Sequence, residues 1–511
     1  MSKANQRKIG AVLSYVSIIA NTVVQMLYTP FMLRMLGQSE YGLYSLATSV
    51  IGYLTVLDLG FGNAIVVYSA KYRAKNELEK EKKMLGMFKI IFYIIGFIVA
   101  LLSLILYFNA DGMFGKTMNT TELSKIKIMM LILSFNLIVT FAFSIYSSII
   151  VSHEKFIFQK LMSIVNTLLK PILMIPLLFL GCKSVGMSLV ITFINLIVIF
   201  SNYLYCKNKL HVNVKYLGFD KKVFKIMFGY SIWLFLASIV DKVNWSVDHF
   251  ILGMVSGTVA VSIYAIAANI NTIFINLSTA ISGVLLPKMS KMVAKKASSE
   301  ELTNEMIKVG RIQYYIIFFM ASSLVMFGKE FIIWWAGIEY KDAYYVALIL
   351  IIPLCFPLIQ NIGISIMQAM NKYKFKAIST SIMAVFNVII SFLLAKTYGP
   401  IGTAIGTAIS LIICNIIIIN IYYKKCIKLD VVRFWKEILN MTFSFITPVI
   451  MILIFMYFIK LNGLQSLIIY GCLYGIIYLL ICYSITMNSY EKEIVTKVFK
   501  KLHLKKGDYY E

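Results

Sequence analysis

Four ionisable residues lie deep inside long apolar stretches of this chain: Lys170, Lys242, Asp58 and Asp241. A charged side chain at membrane depth costs roughly 2.5 to 3.5 kcal/mol on insertion scales, so it usually faces water, a partner or a ligand. Lys170 is near the middle of its stretch and precedes Pro171, which loosens a helix because proline lacks a backbone N–H. Such a lysine could bind an anionic group such as phosphate. A carboxylate at the same depth could couple to a proton or a sodium ion.

Two further charges, Arg34 and Asp248, lie near the outer ends of their apolar stretches. One alternative remains open for the deeper charges, because an aspartate could simply neutralise a lysine in a structural ion pair. The functional hypothesis instead assigns the cations to substrate and the carboxylates to ion coupling. The candidate substrate-binding cations are Lys170, Lys242 and Arg34, and the candidate ion-coupling residues are Asp58, Asp241 and Asp248.

Polar side chains recur at helical spacing in two of the apolar stretches. Asn21 and Gln25 are four residues apart and share one helix face with nearby serines and a tyrosine. Asp241 and Trp245 occupy the equivalent positions 220 residues later. Polar residues often join membrane helices to one another, but stripes at equivalent positions favour a hydrated cavity. Asn21 and Gln25 therefore join the candidate substrate-binding residues.

The composition places these residues in a membrane. Of the 511 residues, 60% are hydrophobic and 14% are charged, and the mean hydropathy is +0.81. These values exclude a soluble enzyme, a secreted disulfide scaffold and a β-barrel with alternating strands. The net charge of +26 does not indicate nucleic-acid binding, because no segment is long enough for a soluble basic domain. Seven cysteines without a CxxC pair and four scattered histidines predict neither a metal site nor a cofactor.

Apolar runs of about 20 residues or more predict an all-α polytopic membrane protein with about fourteen transmembrane helices. With a cytoplasmic N-terminus, the segments on that side hold 38 of the 49 lysine and arginine residues, and the outside segments hold nine. This asymmetry predicts that both termini are cytoplasmic. The longest outside loop, 109–127, is too short for a catalytic domain. The predicted spans are 10–33, 41–66, 86–108, 128–151, 156–181, 184–206, 224–250, 259–286, 312–336, 343–369, 376–397, 401–423, 440–460 and 464–488.

The chain repeats itself at a spacing of about 220 residues. The segment 31–35 (FMLRM) resembles 250–254 (FILGM), and 44–47 (YSLA) resembles 264–267 (YAIA). Because each copy has six spans, both enter from the same side, as parallel repeats around a central cavity. That layout is typical of alternating-access transporters. The predicted domains are an N-terminal six-helix bundle (1–215), its C-terminal repeat (216–426), an interfacial helix with the last two spans (427–490) and a basic cytoplasmic tail (491–511).

The interfacial helix is predicted from a segment that follows the second repeat. Residues 428–441 place Val431, Phe434, Trp435 and Ile438 on one helix face. An amphipathic helix of this kind is expected to lie flat on the inner membrane surface. The basic tail is expected to contact anionic lipid head groups.

Several motifs in both halves resemble those of bacterial polysaccharide flippases. These proteins are the O-antigen and capsule repeat-unit translocases of the multidrug/oligosaccharidyl-lipid/polysaccharide exporter superfamily. The resemblance covers nearly the whole chain. The motifs are 36–46 (LGQSEYGLYSL), 57–64 (LDLGFGNA), 248–253 (DHFILG), 263–265 (IYA) and 285–287 (LLP).

The resemblance implies a function, a mechanism and a set of partners. It implies that an undecaprenyl-pyrophosphate-linked oligosaccharide crosses the bacterial cytoplasmic membrane for lipopolysaccharide or capsule biosynthesis. It also implies alternating access through a cationic cavity, driven by a proton or sodium gradient. The last two spans resemble those that form a lipid-tail groove in lipid II flippases. Expected partners are the lipid-linked substrate, membrane lipids, a polysaccharide polymerase and glycosyltransferases, with no cofactor.

Two other functions remain possible from the sequence. A cation-coupled multidrug exporter of the same superfamily also duplicates six helices. Such exporters usually have twelve spans, so the extra pair of spans and the flippase-like 57–64 motif weigh against this function. A membrane-embedded glycan polymerase or ligase would act on the same lipid-linked substrate. Enzymes of that class typically use a large outside loop with arginine and histidine, and the predicted loop 109–127 contains neither.

Overall fold

The computed structural model describes residues 3–282, 285–370, 372–459, 463–493 and 495–496. These residues are almost entirely helical, and no strand occurs among them. A helix satisfies its backbone hydrogen bonds within one segment, which hydrocarbon surroundings require. The predicted all-α fold class is confirmed.

Sixteen α-helices follow one another along the described residues, and π-helical turns extend α13, α14 and α16. They are α1 (Lys3–Leu54), α2 (Phe61–Ala74), α3 (Leu78–Phe114), α4 (Thr120–Ser152), α5 (Phe156–Phe179), α6 (Ser184–Asn208), α7 (Lys221–Val255), α8 (Gly257–Ser282), α9 (Leu286–Ala294), α10 (Ser299–Trp335), α11 (Ala343–Ile359), α12 (Ile362–Ala369), α13 (Lys374–Leu411), α14 (Ile419–Tyr422), α15 (Val431–Phe458) and α16 (Gly463–Ile481).

Ten helical stretches among the described residues are long and apolar enough to cross a membrane, or eleven if the bent pair α11 and α12 forms one span. Two of the ten, Val16–Ala74 and Lys374–Ile427, have 59 and 54 residues, whereas one crossing needs about 20. Each contains a glycine in the left-handed region, Gly37 or Gly399, where the helix direction breaks. The protein is therefore a multi-pass membrane protein, and the count of fourteen spans stays a prediction.

Backbone breaks recur at the spacing of the sequence repeat. Gly37 has φ 76° at the break within α1, and Gly257, 220 residues later, has φ 82° at the start of α8. Asn76 (φ 56°) follows α2, and Lys296 (φ 54°), again 220 residues later, follows α9. Left-handed backbone is costly for a residue with a side chain. Its recurrence at one spacing supports the duplication inferred from the sequence.

The predicted outside loop 109–127 is mostly helical. Helix α3 continues to Phe114, and α4 begins at Thr120. Asn119 caps α4, since its side chain accepts a hydrogen bond from the Glu122 backbone N–H while the Glu122 side chain accepts one from the Asn119 N–H. This reciprocal cap satisfies two N–H groups that would otherwise lack partners, so the helix starts earlier than hydropathy predicted.

The predicted interfacial helix is wrong as a separate element. Residues 431–458 form one continuous helix, α15, which is a single candidate span. The apolar face that the sequence identified is real, but Phe434 and Ile438 are fully buried inside the protein. An added Cβ on Gly310 of α10 would lie 2.6 Å from the Phe434 ring. Close packing against α10 thus covers the face that hydropathy had assigned to the membrane surface.

Two compact units make up the chain: residues 1–265 with 388–403, and residues 266–387 with 404–511. In the first unit α7 packs against α1, α2 and α3. This division follows packing, whereas the predicted domain boundaries follow the repeat. Those boundaries stay a prediction.

Candidate functional site

The site begins with a pair of parallel helices, α1 and α5. The Ser17 and Ser163 hydroxyls lie 3.1 Å apart, and the Tyr28 hydroxyl lies 3.0 Å from the Met174 sulfur. Both pairs are separated by 146 residues, so the two helices run side by side in the same direction. Lys170 lies between the two contacts on α5, at the level of the polar stripe on α1.

The helices α1, α4, α5 and α6 line an open cavity of about 500 Å³. Nine of its thirteen lining side chains carry polar groups, and Lys170 is the charged one among them. Hydroxyl and amide groups can both donate and accept hydrogen bonds, so the lining suits a polar ligand with many hydroxyls. The lining residues are Ser17, Ile18, Asn21, Ser147, Ile150, Gln159, Met162, Ser163, Asn166, Thr167, Lys170, Val198 and Asn202.

Lys170 is half-buried in this cavity, and within the described residues its ammonium forms no hydrogen bond or ion pair. The structural ion-pair alternative therefore lacks a described partner for Lys170. Pro171 lies inside a continuous α5 and has no N–H to donate to the Thr167 carbonyl one turn earlier. The Lys170 ammonium and the Thr167 carbonyl, which receives no hydrogen bond from Pro171, thus lie in the same turn of α5 at the cavity wall.

The other predicted polar residues on α1 divide between the cavity and the surface. Asn21 lines the cavity together with Lys170, so the structure brings these two candidates together. Gln25 is half-buried one turn further along α1 and is absent from the lining. Arg34 is exposed beyond it. The polar residues predicted from spacing share one face of α1, but only Ser17 and Asn21 on that face line the cavity.

Lys242 lies in a different pocket, which has a volume of about 290 Å³ and contains Tyr53. No residue lines both this pocket and the Lys170 cavity. Among the described carboxylates none forms an ion pair with Lys242. The two lysines that the sequence grouped as one cationic site therefore line two different pockets.

The three predicted aspartates have different surroundings. Asp58 is half-buried in a 3₁₀ turn between α1 and α2, where the backbone N–H groups of Gly60 and Gly62 interact with its carboxylate. The predicted continuous span 41–66 is therefore broken at this point. Asp248 is 1% exposed and accepts a hydrogen bond from the Tyr264 hydroxyl. The side chain of Asp241 lies outside the described residues.

Several lining residues escaped the sequence analysis, although a signal for them was present. Gln159, Ser163, Asn166 and Lys170 follow one another on α5 at steps of four, three and four. This is the same helical spacing as the stripe on α1. Considering Lys170 with its own helix neighbours would have identified the α5 side of the cavity. Asn202 on α6 gave a similar signal, because it lies seven residues, or two helical turns, after Asn195.

The fold and cavity define a polytopic helical membrane protein with a polar cavity that contains one charged side chain. A family model described as polysaccharide biosynthesis protein matches residues 9–293, more than half of the chain. The chain belongs to this family. The family resemblance predicted from the sequence is confirmed.

Curated relatives match most of the chain at low identity. A putative O-antigen transporter of Shigella flexneri is 22% identical over 400 residues, covering 78% of this chain and 93% of the relative. The uncharacterized membrane protein EpsK of Bacillus subtilis strain 168 is 20% identical over 485 residues, covering 93% of this chain and 94% of the relative.

Solved structures with the same fold are transporters. The lipid II flippase MurJ in an inward closed conformation has a TM-score of 0.70 and 18% identity, covering 93% of this chain and 97% of MurJ. An inward-facing MATE family multidrug resistance transporter of the MOP superfamily has a TM-score of 0.62 and 14% identity, covering 77% and 96%. At this identity the likeness shows the fold.

Proposed function

We propose that this protein moves an undecaprenyl-pyrophosphate-linked oligosaccharide from the inner to the outer leaflet of the bacterial cytoplasmic membrane. The observation that carries the proposal is the cavity of amides and hydroxyls around Lys170. Membership of the polysaccharide biosynthesis family supports it. A relative named as a putative O-antigen transporter and a structural neighbour named as a lipid II flippase support it further.

The chemistry of the cavity matches such a substrate. The side-chain amides of Asn21, Gln159 and Asn166 make no hydrogen bond to another described group of the protein. Each amide offers two donor hydrogens and an acceptor oxygen, so together they can replace the water around sugar hydroxyls. Lys170 adds attraction for an anionic group. Most of the prenyl chain stays in the lipid while the bundles alternate between inward and outward access.

Ion coupling completes the proposed mechanism, with Asp58, Asp241 and Asp248 as candidate coupling residues. Asp58 is the stronger candidate of the two described carboxylates, because it is half-buried at a helix break whereas Asp248 is enclosed and bonded to Tyr264. An Asp58→Asn variant should lose the acceleration of transport by a proton or sodium gradient. Gradient-dependent transport equal to wild type would exclude Asp58.

Depletion of the protein in its host tests the function directly. We expect single repeat units on prenyl pyrophosphate to accumulate, with mass spectrometry identifying them and an outside enzyme probe failing to reach them. A Lys170→Ala, Lys242→Ala double variant should not restore glycan export. Single units stranded in the outer leaflet would instead indicate a polymerase, and an unchanged lipid profile would indicate drug export.

We also propose that both termini are cytoplasmic. The support is the distribution of lysine and arginine, with 38 of 49 on that side. Reporter fusions at each terminus should be active only with a cytoplasmic reporter. Activity of a periplasmic reporter at either end would overturn this orientation.

A further inference from the structure

The pocket that contains Lys242 differs in chemistry from the Lys170 cavity. It lies between the end of α1, the middle of α3 and the middle of α7. Seven of its nine lining side chains are wholly apolar, among them Leu54, Leu102 and Phe235. The two that carry polar atoms are Tyr53 and Lys242.

Both polar groups of this pocket are unsatisfied within the described protein. The Tyr53 hydroxyl is fully buried and has no hydrogen-bond partner there. Lys242 forms no ion pair with a described carboxylate, and its ammonium lies 3.8 Å from the position of a Cβ on Gly52. The Asp248 carboxylate lies near Tyr53 but makes no hydrogen bond to its hydroxyl, and its Oδ2 accepts one from Tyr264. An ammonium in apolar surroundings is costly unless an anion accompanies it.

The apolar space continues beyond this pocket. A second pocket of about 310 Å³ shares Tyr53 and Leu54 with it and adds Leu106 and Phe250. The two pockets are thus neighbours, and both are lined almost entirely by hydrocarbon, with one cation and one hydroxyl beside them. A single lipid chain that ends in a phosphate has the matching shape and charge.

We propose that the two lysines bind different parts of one substrate. Lys242 binds the phosphate end of the prenyl chain, with the first part of that chain in the apolar pockets and the Tyr53 hydroxyl as a second donor. Lys170, surrounded by amides and hydroxyls, binds the saccharide. The inference rests on the proposed function and assigns a separate site to each half of its substrate. Prenyl phosphate recognition is then common to all glycans, whereas Lys170 contributes to glycan choice.

Binding of a sugar-free lipid phosphate separates the two sites. The purified full-length protein is titrated with farnesyl diphosphate, inorganic pyrophosphate and phosphatidylglycerol, and bound species are counted by native mass spectrometry. We expect farnesyl diphosphate to bind at least tenfold more tightly than inorganic pyrophosphate, because the chain occupies the apolar pockets. Lys242→Gln should weaken this binding at least tenfold, whereas Lys170→Gln should change it less than twofold.

Two control variants guard against misfolding and general charge effects. Lys242→Arg keeps the cation and should retain most of the binding. Lys221→Gln removes an exposed lysine at the start of the same helix and should leave binding unchanged. Unfolding temperatures of all variants identify any that are misfolded.

The remaining outcomes overturn the inference in distinguishable ways. Equal weakening by Lys170→Gln and Lys242→Gln would show a single shared site, and the proposed function would still stand. Phosphatidylglycerol binding as tightly as farnesyl diphosphate at Lys242 would show a membrane-lipid site. Depleted cells could accumulate lipid-linked repeat units in the inner leaflet while the Lys242→Gln variant binds farnesyl diphosphate as tightly as wild type. That result would support the flippase function and reject the assignment of the phosphate to Lys242.

Discussion

Two cations on different helices of this protein have opposite surroundings. Arg311 on α10 is 13% exposed and holds both carboxylate oxygens of Glu491, at 2.7 and 2.9 Å. The same carboxylate accepts hydrogen bonds from the Tyr315 hydroxyl and the Asn488 N–H. Lys170 has no such partner among the described residues. The described part of the protein satisfies one cation, whereas it leaves the other to water or a ligand.

The difference suits Arg311 to a structural role and Lys170 to substrate binding. Arg311 also donates to the Thr486 carbonyl, so one guanidinium fixes the segment that follows α16 to α10. Removing a fully paired charge leaves its partner buried and alone, which destabilises the fold. Removing an unpaired charge relieves a desolvation cost and should leave the fold intact. The following variants test this contrast, starting with the largest expected effect.

The largest effect is expected for Arg311→Ala, which leaves the Glu491 carboxylate, 4% exposed, without its cation. We expect a loss of about 3 to 5 kcal/mol in unfolding free energy, measured by thermal unfolding in detergent. The matched control is Arg433→Ala, whose pair with Glu300 is exposed and 3.7 Å long. Its loss should be below about 1 kcal/mol. Equal losses in the two variants would contradict the contrast.

Lys170→Ala should lower transport at least about tenfold, equivalent to about 1.4 kcal/mol of lost substrate interaction. Its unfolding temperature should equal or exceed that of wild type, since no described protein partner is lost. Lys160→Ala, on the same helix, serves as the control and should transport normally. If the unfolding temperature and the transport rate of Lys170→Ala both fell, Lys170 would be a structural residue.

The Glu491 pair should also depend on pH. Burial alone raises the pKa of Glu491, but the hydrogen bonds from Arg311, Asn488 and Tyr315 outweigh it and hold the pKa below its ordinary value of 4.5. Its stabilising contribution is therefore complete above pH 4.5 and is lost as the pH falls through the lowered pKa. The unfolding temperatures of wild type and Glu491→Gln should converge in acid. A constant difference at every pH would refute the linkage, and Glu300→Gln should show no difference.

The smallest effects compare amides rather than charges. The Asn195 amide donates to Asn136 at 2.5 Å and to Thr140 at 2.8 Å, whereas Asn202, two turns later on α6, faces the cavity. Asn195→Ala should cost about 1 kcal/mol of stability with little change in transport. Asn202→Ala should do the reverse, with transport falling a few-fold. The two variants are compared by thermal unfolding and by glycan export. Equal changes in both measurements would show that Asn195 and Asn202 do not differ in role.

Single helices were well predicted because, in hydrocarbon, the formation of each helix depends on the residues of its own segment. The first half of α1 and the apolar face of α15 follow from spacing alone. The helices that pack against these faces could not be predicted in this way, since Phe434 packs against α10 instead of facing the membrane surface. The break at Asp58 also escaped prediction, because hydropathy does not register a glycine that adopts a left-handed backbone, as Gly60 does.

By itself the sequence determined the membrane as solvent and the helical class, and it predicted the duplication and the depth of the lysines. These properties depend on apolar run lengths and on the cost of charge in hydrocarbon, which act on each segment separately. Only the tertiary structure decided that Lys170 and Lys242 occupy different pockets and that Arg311 meets Glu491, 180 residues away. Such pairings arise from packing between helices that are distant in the chain, and local periodicity contains no information about them.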